Sequence, residues 1–142
     1  MPTLEEIRAR FRDDRFATEA AGAEIALAEP GRAVCTMALR PIHFNAAGTP
    51  QGGAVFTLAD FAFAVAANGF ADFVTISLQH DITFLKPAKG KLLSAEARCV
   101  RAGRTVCFYT VEVSDELGTQ VAHMTVNGFV TRQKIEKQDF RK

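Results

Sequence analysis

The first stretch of the chain alternates apolar and charged residues at helical spacing. Leu4, Ile7 and Phe11 recur every three to four positions among charged side chains, a pattern that gives a helix one apolar face. This spacing predicts an amphipathic helix over about residues 3–15. We expect its apolar face to lie on another part of the protein.

A change of period marks the next segment. Over residues 23–39 apolar and polar side chains alternate with a period of two, and the turn signal Pro30-Gly31 interrupts the alternation. We therefore predict two antiparallel strands. An irregular stretch over residues 41–51 follows and leads into the glycine pair Gly52-Gly53.

The longest apolar run of the chain covers residues 53–71 and predicts one central helix over about residues 53–70. After it, helical spacing does not return until the last residues. The pattern instead predicts four long strands, at about residues 74–85, 91–100, 105–114 and 119–131. No repeat or linker divides the chain. This order predicts an α+β fold in a single domain of residues 1–142, with one curved antiparallel sheet wrapped around the central helix.

Composition and charge narrow the functional classes. Hydrophobic residues make up 48% of the 142 residues and charged residues 23%, which is typical of a globular protein. Seventeen basic and sixteen acidic side chains leave a formal charge of +1, so we expect no nucleic-acid partner. The three cysteines lack metal-type spacing, and the N-terminus lacks an apolar secretory signal. We therefore expect no bound metal and a cytoplasmic location.

Asp60 stands in the middle of the apolar run. This carboxylate favours a core helix over a membrane span, because a charge at that depth is costly in lipid. It also needs an explanation of its own, since an unpaired buried carboxylate is strongly destabilising. One interpretation is a structural residue bonded to backbone or hydroxyl groups. The other is a general base or nucleophile that lines a cavity.

The glycine pair Gly52-Gly53 lies at the predicted start of the helix. Free backbone N–H groups there, at the positive end of the helix dipole, can stabilise an oxyanion, although glycines at a helix start commonly serve only as caps. Asp60 follows Gly52 by eight residues, about 12 Å along one helix. One chain therefore cannot supply both groups to one carbonyl carbon. If both are catalytic, two copies combine Gly52 of one with Asp60 of the other.

Residues 43–60, HFNAAGTPQGGAVFTLAD, resemble the phenylacetic-acid-pathway (PaaI-like) branch of hotdog-fold thioesterases. The motif of that branch is Asn, Gly, His-Gly-Gly and then Leu-Ala-Asp at matching spacing. Residues 81–88 (DITFLKPA) and 100–104 (VRAGR) are similar to later stretches of the branch, and the resemblance covers about residues 20–132. It implies the hotdog fold, hydrolysis of an acyl-CoA thioester, no metal or organic cofactor, and a homodimer or dimer of dimers.

The resemblance implies a role for individual residues. Gly52 would supply the oxyanion-binding N–H, and Asp60 of the facing subunit would activate water or attack the thioester. Asn45 would orient the carbonyl group or its own loop, and Ser77 would hold the water or the carboxylate. Gln51 stands where the family has histidine, and its amide can hydrogen-bond but cannot titrate near neutral pH. We expect Gln51 to position the thioester.

Two further sets of residues are candidates for substrate binding. Basic side chains near strand ends could hold the phosphates of CoA or could be solvated turn residues: Lys86, Arg101 and Arg104. On the central helix, Gly53 is a candidate for binding the substrate at the helix start. Phe56 and Phe63 could line the acyl pocket or belong to a phenylalanine-rich core. The histidines form no local metal cluster, and we interpret all three as packed or surface residues: His43, His80 and His123.

Two other functions remain open. A dehydratase that acts on acyl thioesters would need an Asp and a His together on the helix and its leading loop, and the predicted helix contains no histidine. A non-catalytic acyl-CoA sensor would keep the cavity and lose the chemistry, but it normally carries an output segment, for which the chain has no room. The acyl group, the choice between Asp60 as base and as nucleophile, and the arrangement of a tetramer also remain open.

Overall fold

The computed structural model describes residues 1–135. Its helices and strands follow the order α1 (Leu4–Phe11), β1 (Ala23–Glu29), β2 (Arg32–Ala38), α2 (Gly52–Asn68), β3 (Phe73–Phe84), β4 (Leu92–Ala102), β5 (Val106–Asp115) and β6 (Gln120–Lys134). A π-helical turn, Phe16–Ala20, precedes β1, and a 3-10 turn, Pro41–His43, follows β2. Residues 136–142, which end the predicted single domain, lie outside the described residues.

The six strands form one antiparallel sheet with the order β1-β2-β4-β5-β6-β3. Helix α2 lies across one face and packs mainly against β2 and β4. These two strands carry small buried side chains, among them Ala33, Ala95 and Ala97, so the helix can approach the sheet closely. The predicted α+β hotdog fold, with an antiparallel sheet curved around one long helix, is confirmed. Strands β1 and β3 form its two edges.

Helix α2 is apolar on nearly all sides and forms the centre of the core, with nine of its seventeen residues buried. Asn68 marks its end. The Asn68 amide donates to the carbonyl groups of Ala64 and Thr75, and its oxygen accepts the N–H of Thr75, at 3.1, 3.1 and 2.7 Å. These bonds tie the end of α2 to the start of β3, so the helix has a defined position on the sheet.

Helix α1 is shorter than the hydrophobic pattern predicts. The hydroxyl group of Thr3 accepts the N–H of Glu6, and the Glu6 carboxylate accepts the N–H of Thr3, so a capping box starts the helix. Ile7 is buried and Phe11 packs edge to face on Phe61 of α2. The helix ends at Phe11 rather than at about residue 15, because the charged residues 12–15 supply no apolar side chain to extend this face.

Candidate functional site

The start of α2 presents two unpaired backbone donors. The carbonyl group of Gln51 accepts the N–H groups of Ala54 and Val55, at 3.0 and 3.2 Å. By contrast, the N–H groups of Gly52 and Gly53 have no acceptor within residues 1–135. Both stand at the positive end of the helix dipole, where negative charge is stabilised. The start of the helix can therefore bind an oxyanion.

A cavity of about 260 Å³ opens beside these donors, and Gly52, Phe84 and Lys86 are among its walls. Phe84, at the end of β3, packs against the backbone of Gly52. A methyl group added to Gly52 would lie 3.0 Å from the Cζ atom of the ring, so a larger residue here would push the ring aside. Lys86 is the predicted phosphate-binding residue that lies near the start of α2.

Polar side chains shape the loop that leads into α2. The side-chain oxygen of Asn45 accepts the N–H groups of Ala47 and Thr49, at 3.0 and 3.1 Å. These bonds fit the predicted role of Asn45 in orienting its own loop. Gln51 is exposed and folds back over the first turn of the helix. Its Oε1 atom would lie 2.8 Å from a Cβ atom built on Gly53, so the amide lies close to the unpaired donors.

His43 fastens the same loop to the N-terminal part of the chain. Its Nδ1 atom accepts the N–H of Arg40 at 2.9 Å, which leaves the proton of a neutral imidazole on Nε2. Nε2 then donates to the carbonyl group of Ala21 at 2.7 Å. The side chain is buried. His43 is thus a packed residue that holds the loop and does not face the cavity with a free nitrogen.

Asp60 lies in the middle of α2, about 12 Å along the helix from Gly52, and the two do not meet within the chain. Its side chain is 46% exposed, and its Oδ1 atom lies 3.2 Å from Nε2 of His80 on β3. Partial burial raises the pKa of Asp60, His80 lowers it, and the carboxylate of Asp14 raises it. A carboxylate with a raised pKa that water can reach is suited to accept a proton from water.

His80 is the neighbour of Asp60 that the sequence did not assign to the site. Phe56, Asp60 and Phe63 follow at spacing i, i+4 and i+7 on one face of α2. The His80 ring packs edge to face on both phenylalanines, with centroid distances of 5.0 and 5.9 Å. No local sequence pattern predicts that His80 lies beside Asp60, because twenty residues separate them and they belong to different elements.

The other residues predicted for the site differ in their burial and contacts. Phe56 is partly buried, whereas Phe63 is buried and also packs on Tyr109 at 5.2 Å, so Phe63 belongs to the core as well as to the wall beside Asp60. Ser77 lies on β3 opposite Gly128 of β6. Its hydroxyl group makes no hydrogen bond to Asp60 or to any other group of the described residues.

The predicted phosphate-binding residues lie at opposite ends of the sheet. Lys86 is exposed in the connection that leads from β3 to the start of β4. Arg101 and Arg104 are exposed at the far end of β4 and in the turn that follows. The length of β4 between these ends is about 33 Å. Lys86 and the two arginines of one chain therefore cannot contact the same phosphate group.

The described part of the chain contains neither a metal-binding cluster nor a membrane-spanning helix. Within residues 1–135, His, Cys, Asp and Glu side chains form no group that could hold a metal ion. No helix described there is long and apolar enough to cross a membrane. All three cysteines are free, and burial raises the pKa of the Cys35 thiol to about 12, which makes it unreactive.

Known proteins resemble this chain in sequence and in structure. Residues 47–122, more than half of the chain, match the model of the thioesterase superfamily. The chain is 31% identical over 115 residues to the acyl-coenzyme A thioesterase PaaI of Escherichia coli, covering 80% of this chain and 81% of that protein. It is 31% identical over 94 residues to acyl-coenzyme A thioesterase 13 of Homo sapiens, covering 63% and 65%. A hypothetical thioesterase protein of Streptococcus pneumoniae, solved with coenzyme A, is 28% identical with a TM-score of 0.75, covering 88% of this chain and 99% of that one.

Proposed function

The chain is a hotdog-fold thioester hydrolase that belongs to the thioesterase superfamily, in its PaaI-like branch, and we propose that it cleaves acyl-CoA at a site built by two copies. One observation carries the proposal. Unpaired N–H groups and a half-exposed carboxylate lie on the same helix, about 12 Å apart, too far for one chain to bring both to one carbonyl carbon. Gly52 of one copy and Asp60 of the other complete the site. The relatives named for acyl-coenzyme A and the one solved with coenzyme A support CoA as the thiol part of the substrate.

The edge strand β3 supports a homodimer. Its outer edge pairs with no strand of the described residues, and Ile76 and Leu78 are exposed along it. An unpaired apolar edge favours pairing with another chain. Antiparallel pairing of β3 with its copy, around a two-fold axis, extends one sheet through both subunits and lays the two α2 helices side by side in opposite directions. The start of each helix then faces the middle of the other. A dimer of dimers is the larger assembly that we expect.

Hydrolysis in this site needs only a base and an oxyanion donor. Asp60 takes a proton from water while the water oxygen attacks the carbonyl carbon, and the N–H of Gly52 on the second copy stabilises the oxyanion. The C–S bond then breaks and the thiolate of CoA leaves with little need for protonation, because the pKa of a thiol is about 8.5. In the alternative route the Asp60 carboxylate attacks the thioester itself, and water then opens the resulting anhydride.

Neighbouring side chains support these two groups. Gln51 positions the thioester, since its amide already lies over the first turn of α2. Asn45 holds the loop that carries Gln51, and Ser77, whose hydroxyl group is free, holds the attacking water. Phe56 and Phe63 form one wall of the acyl pocket beside Asp60.

The basic residues of two copies can bind one CoA molecule together. Antiparallel pairing of the β3 strands brings the Lys86 end of one sheet to the Arg101 and Arg104 end of the other. This arrangement resolves the separation of about 33 Å within one chain. We propose that Lys86 of one copy and the arginines of the other bind the phosphates of CoA. The three free thiols favour the reducing cytoplasm as the location of the enzyme.

Thiol release from a panel of aliphatic and aromatic acyl-CoAs tests the proposal, with wild type and Asp60→Asn side by side. We expect hydrolysis that disappears in the folded variant. Undiminished hydrolysis by Asp60→Asn would remove Asp60 from the mechanism. Binding of CoA esters without turnover by the wild type would indicate a sensor. Because His80 lies beside Asp60, the panel includes a 3-hydroxyacyl-CoA, and formation of an enoyl product would indicate a dehydratase.

A further inference from the structure

We infer that His80 is a positioning residue for the reaction, which donates its Nε2–H group to Asp60 in the reacting complex so that the carboxylate is held in one orientation. The inference rests on the proposed role of Asp60. It starts from the contact of 3.2 Å between Nε2 and Oδ1, which a small reorientation of the side chains turns into a hydrogen bond. Residue 80 lies outside the three motif stretches 43–60, 81–88 and 100–104, so only the fold brings it to Asp60.

The surroundings of His80 assign its proton. A carboxylate only accepts hydrogen bonds, so the contact with Asp60 needs a proton on Nε2. The other nitrogen, Nδ1, is buried and has no hydrogen-bond partner within the described residues. A proton on Nδ1 would leave a buried donor without an acceptor, which is costlier than leaving a lone pair unused. A single proton on the imidazole therefore belongs on Nε2, where it can be donated to Asp60.

The fold keeps this donor in a fixed direction. Leu78 is an extra residue of β3 between positions 77 and 79, and the resulting bulge turns His80 towards α2. There, Phe56 and Phe63 both pack edge to face with the ring. This packing restricts rotation of the ring, so the ring holds Oδ1 of Asp60 in place and leaves Oδ2 for the water or the thioester. This is the preorganisation that a base needs, because small displacements of a catalytic group reduce the rate strongly.

Two charged or titratable groups from other elements face Asp60, namely His80 on β3 and Asp14 in the segment before the π-helical turn. Burial raises the pKa of Asp60, His80 lowers it, and Asp14 raises it. Loss of the His80 imidazole, whose electrostatic effect lowers the pKa of Asp60, therefore raises that pKa and leaves less carboxylate in mildly acidic solution. Loss of the Asp14 charge has the opposite effect and lowers the pKa of Asp60.

A pair of variants at position 80 separates the hydrogen bond from packing. His80→Gln places an amide donor at about the position of Nε2, whereas His80→Met fills a similar volume without a donor. We expect His80→Gln to keep kcat/KM within about threefold of wild type. We expect His80→Met to lose about ten- to a hundredfold, mainly in kcat, with the acid limb of its pH profile moved to higher pH. Asp14→Asn is the control with the opposite sign and should move the acid limb to lower pH.

These variants separate a failure of the inference about His80 from a failure of the proposed function. Wild-type activity and an unmoved acid limb in His80→Met, with Asp60→Asn inactive, would overturn this inference alone. Equal losses in the Gln and Met variants with unmoved acid limbs would also overturn it, because packing would then explain the effect. Activity of Asp60→Asn at the wild-type level would overturn the proposed function itself.

Nitrogen-15 NMR of the imidazole groups gives a readout that does not depend on activity. We expect the His80 signals, identified by their loss in His80→Gln, to report a proton on Nε2 and none on Nδ1. His43 serves as an internal standard for the same tautomer, because its Nδ1 accepts the N–H of Arg40. A proton on Nδ1 of His80 would contradict the inference.

Discussion

The ring of Phe84 lies against the backbone of Gly52, so closely that an added methyl group would come 3.0 Å from the Cζ atom of the ring. The backbone of Gly52 therefore lies beside an aromatic wall, at a cavity that Lys86 also lines. An apolar wall lowers the local polarity, and a hydrogen bond from the Gly52 N–H to an oxyanion is stronger in such surroundings. The position of Phe84 on β3 thus affects how well the start of α2 can stabilise an oxyanion.

Replacement of Gly52 by proline isolates the contribution of its N–H. Proline is well tolerated at the first position of a helix, and Gln51 before it already has the extended conformation that proline requires, with φ −65° and ψ 138°. We expect Gly52→Pro to lower kcat by about 100- to 1000-fold in acyl-CoA hydrolysis. Gly52→Ala crowds Phe84 in the same way but keeps the N–H, and it should remain within about tenfold of wild type. Equal losses in the two variants would assign the effect to crowding.

Mixed dimers test whether two copies share each site. A dimer of one Asp60→Asn subunit and one Gly52→Pro subunit contains one site with both wild-type groups and one site with neither. Each variant alone should be inactive, whereas an equal mixture that has exchanged subunits should recover about a quarter of wild-type activity. Thiol release measures the recovery, and tagged subunits measure the exchange. No recovery in a folded, fully exchanged mixture would contradict a shared site.

The contact of Asp60 with His80 marks where prediction from the sequence ends. Helix α2 and the strands follow from periodicity, and Asp60 stands out because it interrupts an apolar run. The direction of His80 does not follow, since counting in steps of two from the buried Thr75 would turn it away from the helix. The bulge at Leu78 reverses the alternation, and no local pattern of apolar and polar residues marks a bulge of this kind.

The end of α1 illustrates a second limit of prediction from the sequence. Leu4, Ile7 and Phe11 predict its buried face, and Ile7 and Phe11 do pack on the core. Charged residues that alternate in sign can continue a helix or end it, and only the tertiary contacts decide. The positions that follow Phe11 at helical spacing, Asp14 and Arg15, are charged and extend no apolar face, and the chain continues into the π-helical turn Phe16–Ala20.

Asn68 offers a test of how α2 is held on the sheet. Its amide makes three hydrogen bonds, to the carbonyl groups of Ala64 and Thr75 and from the N–H of Thr75. Asn68→Ala removes all three and leaves partly buried backbone groups without partners. We expect the free energy of unfolding to fall by about 2 to 4 kcal/mol, measured by urea denaturation. Asn127→Ala, at an exposed position of β6, is the control and should change it by less than about 0.5 kcal/mol. Equal effects of the two variants would contradict the prediction.

Asp115 is a buried polar group that, like Asn68, ties separate segments together. One carboxylate oxygen accepts the N–H groups of Lys89 and Gly90, and the other accepts those of Leu117 and Thr119, at 2.9 to 3.0 Å. Burial alone would raise the pKa of this carboxyl group, but the backbone donors outweigh it and hold the pKa of Asp115 well below its usual range. The charged form is thus the one that the fold stabilises.

Stability should therefore depend on pH through Asp115. Its pKa is lower in the folded protein than the value of about 3.9 in an unfolded chain, so its contribution is complete above about pH 5 and is lost as the pH falls towards the folded-state pKa. We expect Asp115→Asn to be less stable than wild type at pH 7, and the gap to narrow as the pH drops below 4. Urea unfolding of both proteins across this range measures the gap. Asp13→Asn, at an exposed position, should show no such trend. A gap for Asp115→Asn that stays constant from pH 7 into this acidic range would mean that shape and not charge makes Asp115 stabilising.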